Sequence, residues 1–166
     1  MLRLVALVCT LALTGFSFSA QKFACVDTNR ILQESKLVAD AQKELREKLI
    51  EFQKKLSKKE QRLEELKKQI ESKAISKQAK EEKIKEYQKV ESEARELQTK
   101  AQKELNDMKQ RFENMVYNRV KEAAEKLSKE RNYSGVMDCG VFIYKDTELD
   151  ITTDVIRLVD KDASKR

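Results

Sequence analysis

The chain has no proline, no histidine and no tryptophan, and only three glycines in 166 residues. Those glycines are Gly15, Gly135 and Gly140, so neither glycine nor proline occurs between Phe16 and Ser134. Glycine and proline punctuate chains into turns and irregular loops. A segment this long without either, rich in Lys, Glu, Gln, Leu and Ala, reads as helix. It is too long and too charged to be a globular core, which points to a protein that works by reach and surface. The missing histidine removes the usual general base, the commonest metal ligand and any His-containing triad. The cysteines have no C-x-x-C spacing for zinc or redox work, and no glycine-rich loop is present to cradle a phosphate. Carboxylates are plentiful but spread along solvated helices. The expectation is a non-enzyme with no cofactor and no metal.

The ends carry the compartment signal. Arg3 precedes an apolar run from Leu4 to Leu13, broken only by Cys9 and Thr10, and Ser17-Phe18-Ser19 supplies a small-x-small cleavage pattern. This reads as a secretory signal peptide over residues 1–20, with the mature chain starting near Ala20 or Gln21 and an uncleaved anchor as the alternative. The run is shorter than the ~20 residues of a membrane span. Export leaves Cys25 and Cys139, each in a short β-like segment at opposite ends of the mature chain. An oxidising compartment permits a bridge between them, the alternative being two buried free thiols.

The middle of the chain has a coiled-coil period. Apolar residues fall at Val38, Ala41, Leu45, Leu49, Phe52, Leu56, Leu63, Leu66 and Ile70, then at Ile84, Tyr87, Val90, Ala94, Leu97, Ala101, Leu105, Met108, Phe112, Met115 and Val116. Paired antiparallel, the two halves match with residue numbers adding to 153 or 154, as in Leu49 with Leu105 and Leu56 with Leu97. The midpoint of that register falls near Ser76 and Lys77, where the heptad pattern lapses and Ser76 is placed to cap a second helix. An αα-hairpin over 36–131 is expected, with its tip near 72–78 and arms of about 45–55 residues, ~65–80 Å long. Lys59 opposite Ala94 interrupts the apolar seam, a place for the arm to bend.

The charge is unevenly placed. Residues 54–89 hold 13 basic and 7 acidic side chains, while 21–53 balance at six of each and 90–166 hold 15 basic and 16 acidic. The hairpin therefore carries the positive excess to its far end. The residues are Lys54, Lys55, Lys58, Lys59, Arg62, Lys67, Lys68, Lys73, Lys77, Lys80, Lys83, Lys85 and Lys89. Such a basic tip attracts anions: acidic clients, membrane head groups or nucleic acid, of which export demotes the last. The bland alternative is a solvated helical face, and several i,i+4 pairs fit that description.

The rest, 21–35 and 132–166, forms a β-rich body. Phe23-Ala24-Cys25-Val26 has strand composition, with Asp27 or Thr28 capping the next helix. Asn132 to Gly135 end the second arm; Val136–Cys139 and Val141–Tyr144 read as two strands around Gly140; Thr152 or Thr153 caps a last helix. About 50 residues make a poor core alone, so oligomerisation through this root is expected. The fold class is mainly α with a small β part: a long antiparallel helical hairpin on a small β-rich oligomerisation body.

Lys22-Phe23-Ala24-Cys25-Val26-Asp27, Tyr133-Ser134-Gly135-Val136-Met137-Asp138 and Leu149-Asp150-Ile151-Thr152-Thr153-Asp154-Val155 resemble, in order and spacing, segments of the Skp/OmpH family of periplasmic chaperones. The resemblance covers the whole mature chain. It implies a homotrimer whose three hairpins hang as tentacles around a cavity, where unfolded outer-membrane proteins are held without ATP. It also makes the strands of Cys25 and Cys139 neighbours, which favours their bridge, although the cysteines are not a general family feature. The basic cluster proposed to bind lipopolysaccharide in the family does not map cleanly onto this chain, where the corresponding stretch has Lys109 and Arg111 among Glu104, Asp107 and Glu113; an anionic membrane surface or lipopolysaccharide stays a candidate partner of the basic tip. The rival reading is a structural or adaptor coiled coil of the cell envelope, which has no need of a trimerising sheet.

Overall fold

The computed structural model describes residues 21–163; residues 1–20, where a signal peptide is expected, lie outside the described residues. Strand β1 (Phe23–Val26) leads into helix α1 (Thr28–Glu34), then the two long helices α2 (Lys36–Glu71) and α3 (Lys77–Arg131). Strand β2 (Gly135–Asp138), two single-turn 3₁₀ segments (Cys139–Val141 and Thr147–Leu149) and helix α4 (Thr152–Ala163) complete the chain.

The two strands are parallel, in the register Phe23 to Gly135 through Val26 to Asp138. Parallel strands need a crossover connection, and here that connection is the entire hairpin. Gly135 suits its place because a Cβ there would meet the Phe23 ring at 3.3 Å. On the other side of β1, Ile151 N–H donates to the Cys25 carbonyl at 3.0 Å, so the segment before α4 runs beside the strand.

Three ion pairs cross between α2 and α3: Lys48 to Glu104 at 3.1 Å, Lys59 to Glu93 at 2.5 Å and Arg62 to Glu86 at 2.5 Å. Their descending partners fix an antiparallel hairpin. Val38, Ala41, Phe52 and Leu66 of α2 and Ala101 and Met108 of α3 are buried along the seam. The turn at 72–76 needs no glycine because neither helix end uses left-handed backbone. Ser72 leaves α2 extended at ψ 133°, and its hydroxyl accepts from Ala74 N–H at 3.3 Å. Ser76 then caps α3, its hydroxyl accepting from Ala79 N–H at 3.2 Å.

The root core is a separate cluster. Ala24, Val26 and Ile31 meet Ala123 and Leu127 of α3 and Ile151, Val155 and Val159 of the closing segment. Helix α3 ends at Asn132 in left-handed backbone, φ 57°, a conformation Asn tolerates better than most residues.

Four local expectations are corrected. The first arm is a 36-residue helix, ~54 Å, because the chain breaks at Ser35 (ψ 130°) and splits α1 from α2; α3 is longer at 55 residues, ~83 Å. Val141–Tyr144 is not a strand: Cys139–Val141 turns, and Phe142–Tyr144 has no neighbouring strand to pair with among the described residues. Cys139 accordingly sits in that turn rather than in a strand. Helix α4 is not capped by a threonine. Asp150 Oδ1 accepts from Thr152 N–H at 3.0 Å, while the Thr152 hydroxyl accepts from Asp27 N–H at 2.8 Å and ties α4 to the start of α1.

Candidate functional site

Two surfaces stand out, one at each end of the molecule. At the far end, five of the thirteen basic residues read from the sequence have carboxylate partners. Lys55 pairs with Glu51, Lys59 with Glu93, Arg62 with Glu65 and Glu86, Lys68 with Glu64 and Lys83 with Glu86. The other eight, Lys54, Lys58, Lys67, Lys73, Lys77, Lys80, Lys85 and Lys89, form no ion pair among the described residues. Six of those eight lie between positions 67 and 89, astride the turn. The sequence brings them together simply by ending one helix and starting the next there.

The paired residues behave differently. The Arg62 guanidinium, followed by Lys83, holds the Glu86 carboxyl below its ordinary value, and Lys59 does the same to Glu93. Nearer the root, Lys48 lies between Glu104 and Glu51 and also sits over the Phe52 ring, 5.1 Å from its centroid; Lys55 covers the same ring at 5.8 Å. These side chains brace the hairpin. Beside the seam interruption at Lys59 the arms leave an open cleft of about 660 Å³ with Val90 and Leu97 inside and Lys55, Lys58, Arg62 and Lys100 around it. On the lower second arm, Lys109 is engaged by Glu113 at 3.7 Å.

At the near end, an open groove of about 640 Å³ runs between β2 and the last turns of α3. Leu32, Tyr117, Val120, Val136 and Met137 line it, with Tyr117 at 67% exposure. Immediately after β2 comes an apolar strap with nothing over it: Val141 is 65%, Ile143 108% and Tyr144 85% exposed. Isolated surface hydrophobics are ordinary, but a contiguous apolar strap beside a strand edge that has no partner among the described residues is the kind of surface that proteins use for interaction.

The strap leaves from a rigid point. Cys25 and Cys139 are joined by a disulfide with Cα atoms 4.9 Å apart, across 114 residues of chain. Asp138 accepts from the Thr28 hydroxyl and from Gly140 N–H at 2.7 Å, bonds that lower its pKa and fix the turn. At the other end of the strap burial pushes Asp150 upward. The ion pair with Lys145 and the hydrogen bonds from Thr152 outweigh that and hold it at about 2. Sequence reasoning missed Asp138, Asp150, Asp154 and Asp160. Asp138, Asp150 and Asp154 lie in the segments that carry the family resemblance, without a role read for them, and Asp160 had as its signal only a clustering of Asp, rather than Glu, in the last thirty residues.

No helix among the described residues is long and apolar enough to cross a membrane, and none of their His, Cys, Asp or Glu side chains gather into a group of three or more that could hold a metal ion. A family model described as outer membrane protein (OmpH-like) matches residues 22–159. The chain belongs to the OmpH-like family. A protein of Aquifex aeolicus (strain VF5) described as uncharacterized is 44% identical to this OmpH-like chain over 149 residues, 90% of this chain and 91% of that one. The crystal structure of an OmpH-like outer membrane chaperone from Caulobacter crescentus CB15 superposes with a TM-score of 0.76 over 86% of this chain and 85% of that one. At 17% identity that likeness is one of fold.

Proposed function

We propose that the protein is an ATP-independent holdase chaperone of the periplasm, exported and cleaved near residue 20, which assembles as a homotrimer and shelters unfolded outer-membrane proteins between its arms. The observation that carries this reading is the pairing of a long, braced arm with a root that leaves an apolar groove and an apolar strap unpartnered. A groove and a strap on different parts of one surface fit heterologous contacts between copies, which close into rings when the rotation allows. Several arms then hang from one body and enclose a shared space. OmpH-like family membership supports the same assignment.

Shelter of this kind needs no catalysis. Unfolded clients expose apolar β-segments that aggregate in transit. Sequestration by many weak contacts competes with that aggregation by mass action. The thirteen basic residues of the distal hairpin draw acidic clients, and the eight unpaired lysines turn the open end toward an anionic surface, lipopolysaccharide or phospholipid. Nucleic acid is not a partner.

The test is an aggregation assay. A urea-unfolded outer-membrane protein is diluted into buffer with and without the mature chain, and light scattering is followed. Suppression at a near-stoichiometric ratio of three chains to one client is expected, and raised salt should weaken capture. Unchanged scattering would refute the holdase reading and favour the structural coiled coil.

A further inference from the structure

We infer that Asp160, on the C-terminal helix, is the positioning residue that sets the bending stiffness of the arm. Helix α2 begins at a buried Ser35, a residue type that ordinarily caps a helix through its own hydroxyl. Here that hydroxyl makes no capping bond. It donates instead to Asp160 Oδ1 at 2.7 Å, and Asp160 replaces it as the cap. Leu37 N–H donates to the same oxygen at 3.1 Å and Lys36 N–H to Oδ2 at 3.1 Å. A carboxylate at a helix N-terminus is favoured both by these bonds and by the helix dipole. The first turn of α2 is thus bolted to α4.

Helix α4 is in turn fixed to α3. Val155 and Val159 pack into the core with Ala123 and Leu127 of α3, and Asp154 pairs with Arg131 at the end of α3. Asp160 therefore locks the root end of α2 to the root end of α3 through a third helix, while the turn at 72–76 joins the two helices covalently at the tip.

Two beams joined at both ends bend far less than two beams free to slide. Bending a helix pair by ~10° demands an axial slip of about 1.5 Å between axes roughly 8–10 Å apart. With α2 bolted, that slip must break the three hydrogen bonds to Asp160. Without the bolt, the root end of α2 keeps the chain link through Ser35 and the packing of Leu37 on the root core but resists the slip less, and the arm flexes where its seam is weakest, at Lys59 opposite Ala94, ~35 Å from Asp160. If the arms wall a client cavity, as proposed above, their stiffness sets how far the cavity yields to a large client.

The experiment measures residual dipolar couplings of α3 amides in the full mature protein with the disulfide intact. In the wild type, the distal half (77–92) and the root half (110–131) share one alignment. Asp160→Ala should scale down the distal couplings relative to the root couplings, and Asp160→Asn, which keeps the oxygen accepting from Ser35 and Leu37, should restore most of the loss. Ser35→Ala, which leaves α4 untouched, removes one bond of the three and should give an intermediate loss, so local unfolding of α4 cannot mimic the result. Couplings that stay locked to one alignment in both Asp160→Ala and Ser35→Ala overturn the inference. Arm bending is read without any client, so a failed aggregation assay with loosened arms would reject the holdase reading and leave this inference standing.

Discussion

The arm and the root are held together by different physics. In the arm each helix buries one stripe against one partner, and the buried residues are spaced along the seam with ion pairs between them. In the root, residues from several elements converge on one cluster, stapled by a disulfide and pinned by aspartates of the last thirty residues. The arm can lose any one contact and remain a hairpin. In the root each contact counts for more, because its staple and the ties from Asp160 and Thr152 join segments more than a hundred residues apart. Length and surface come from a repetitive solution, and placement comes from a specific one.

The largest effect that separates the two regions is expected at the staple. Closing a loop of 114 residues restricts the unfolded chain by about 4–5 kcal/mol in the chain-entropy model. Cys139→Ser should therefore lower unfolding stability in urea by up to that amount while far-UV helicity of the arms persists below the transition. An equal loss of arm and root signals at the same denaturant concentration in the variant would break the division. Next come matched core truncations. Ile31→Ala in the root should cost about 2–5 kcal/mol, and Leu66→Ala, equally buried near the tip, should fall at or below the low end, because the thin arm relaxes around the lost volume.

Acid sharpens the comparison. Glu86, Glu93, Asp138 and Asp150 all have folded-state pKa values below their ordinary 4.5 or 3.8. A depressed carboxylate contributes stability that is present above its unfolded pKa and lost as the pH falls through the folded one. Stability should accordingly be flat near neutrality. The arm pairs should then weaken as the pH drops below 4.5, followed by the Asp150 contacts on the way to about 2. Thermal melts across that range, read separately from arm and root amides, check the order. The smallest change in stability is expected at the tip. Lys77→Glu with Lys80→Glu should shift unfolding by no more than about 0.5 kcal/mol, since neither lysine has an ion-pair partner among the described residues, yet should reduce co-sedimentation with anionic vesicles. Undiminished sedimentation would remove the tip from that role.

The arm was largely legible in the sequence because its rules are local. Heptad spacing marked the seam, and the lapse around Ser76 marked the turn, which the structure caps with that serine. The root was legible only where a rule was local, as at Asp27, whose side chain accepts from Arg30 N–H. The sequence reading placed the boundary at 35/36, where α2 begins, but not the contact made there, because Asp160 lies 125 residues away. The strand expected at Val141–Tyr144 failed because strand propensity needs a neighbour to act on, and the described residues supply none there. Of the basic tip, the sequence located the charges but could not separate the eight unpaired lysines from the five cations used as braces, since that depends on which carboxylates the register brings across.

The proposed function requires that the root gather copies so that their arms can share one client. Native mass spectrometry of the mature protein mixed with an unfolded outer-membrane protein tests it in a single spectrum. Three chains with one client is the predicted species. One chain with one client, or chains and client at separate masses, would contradict it.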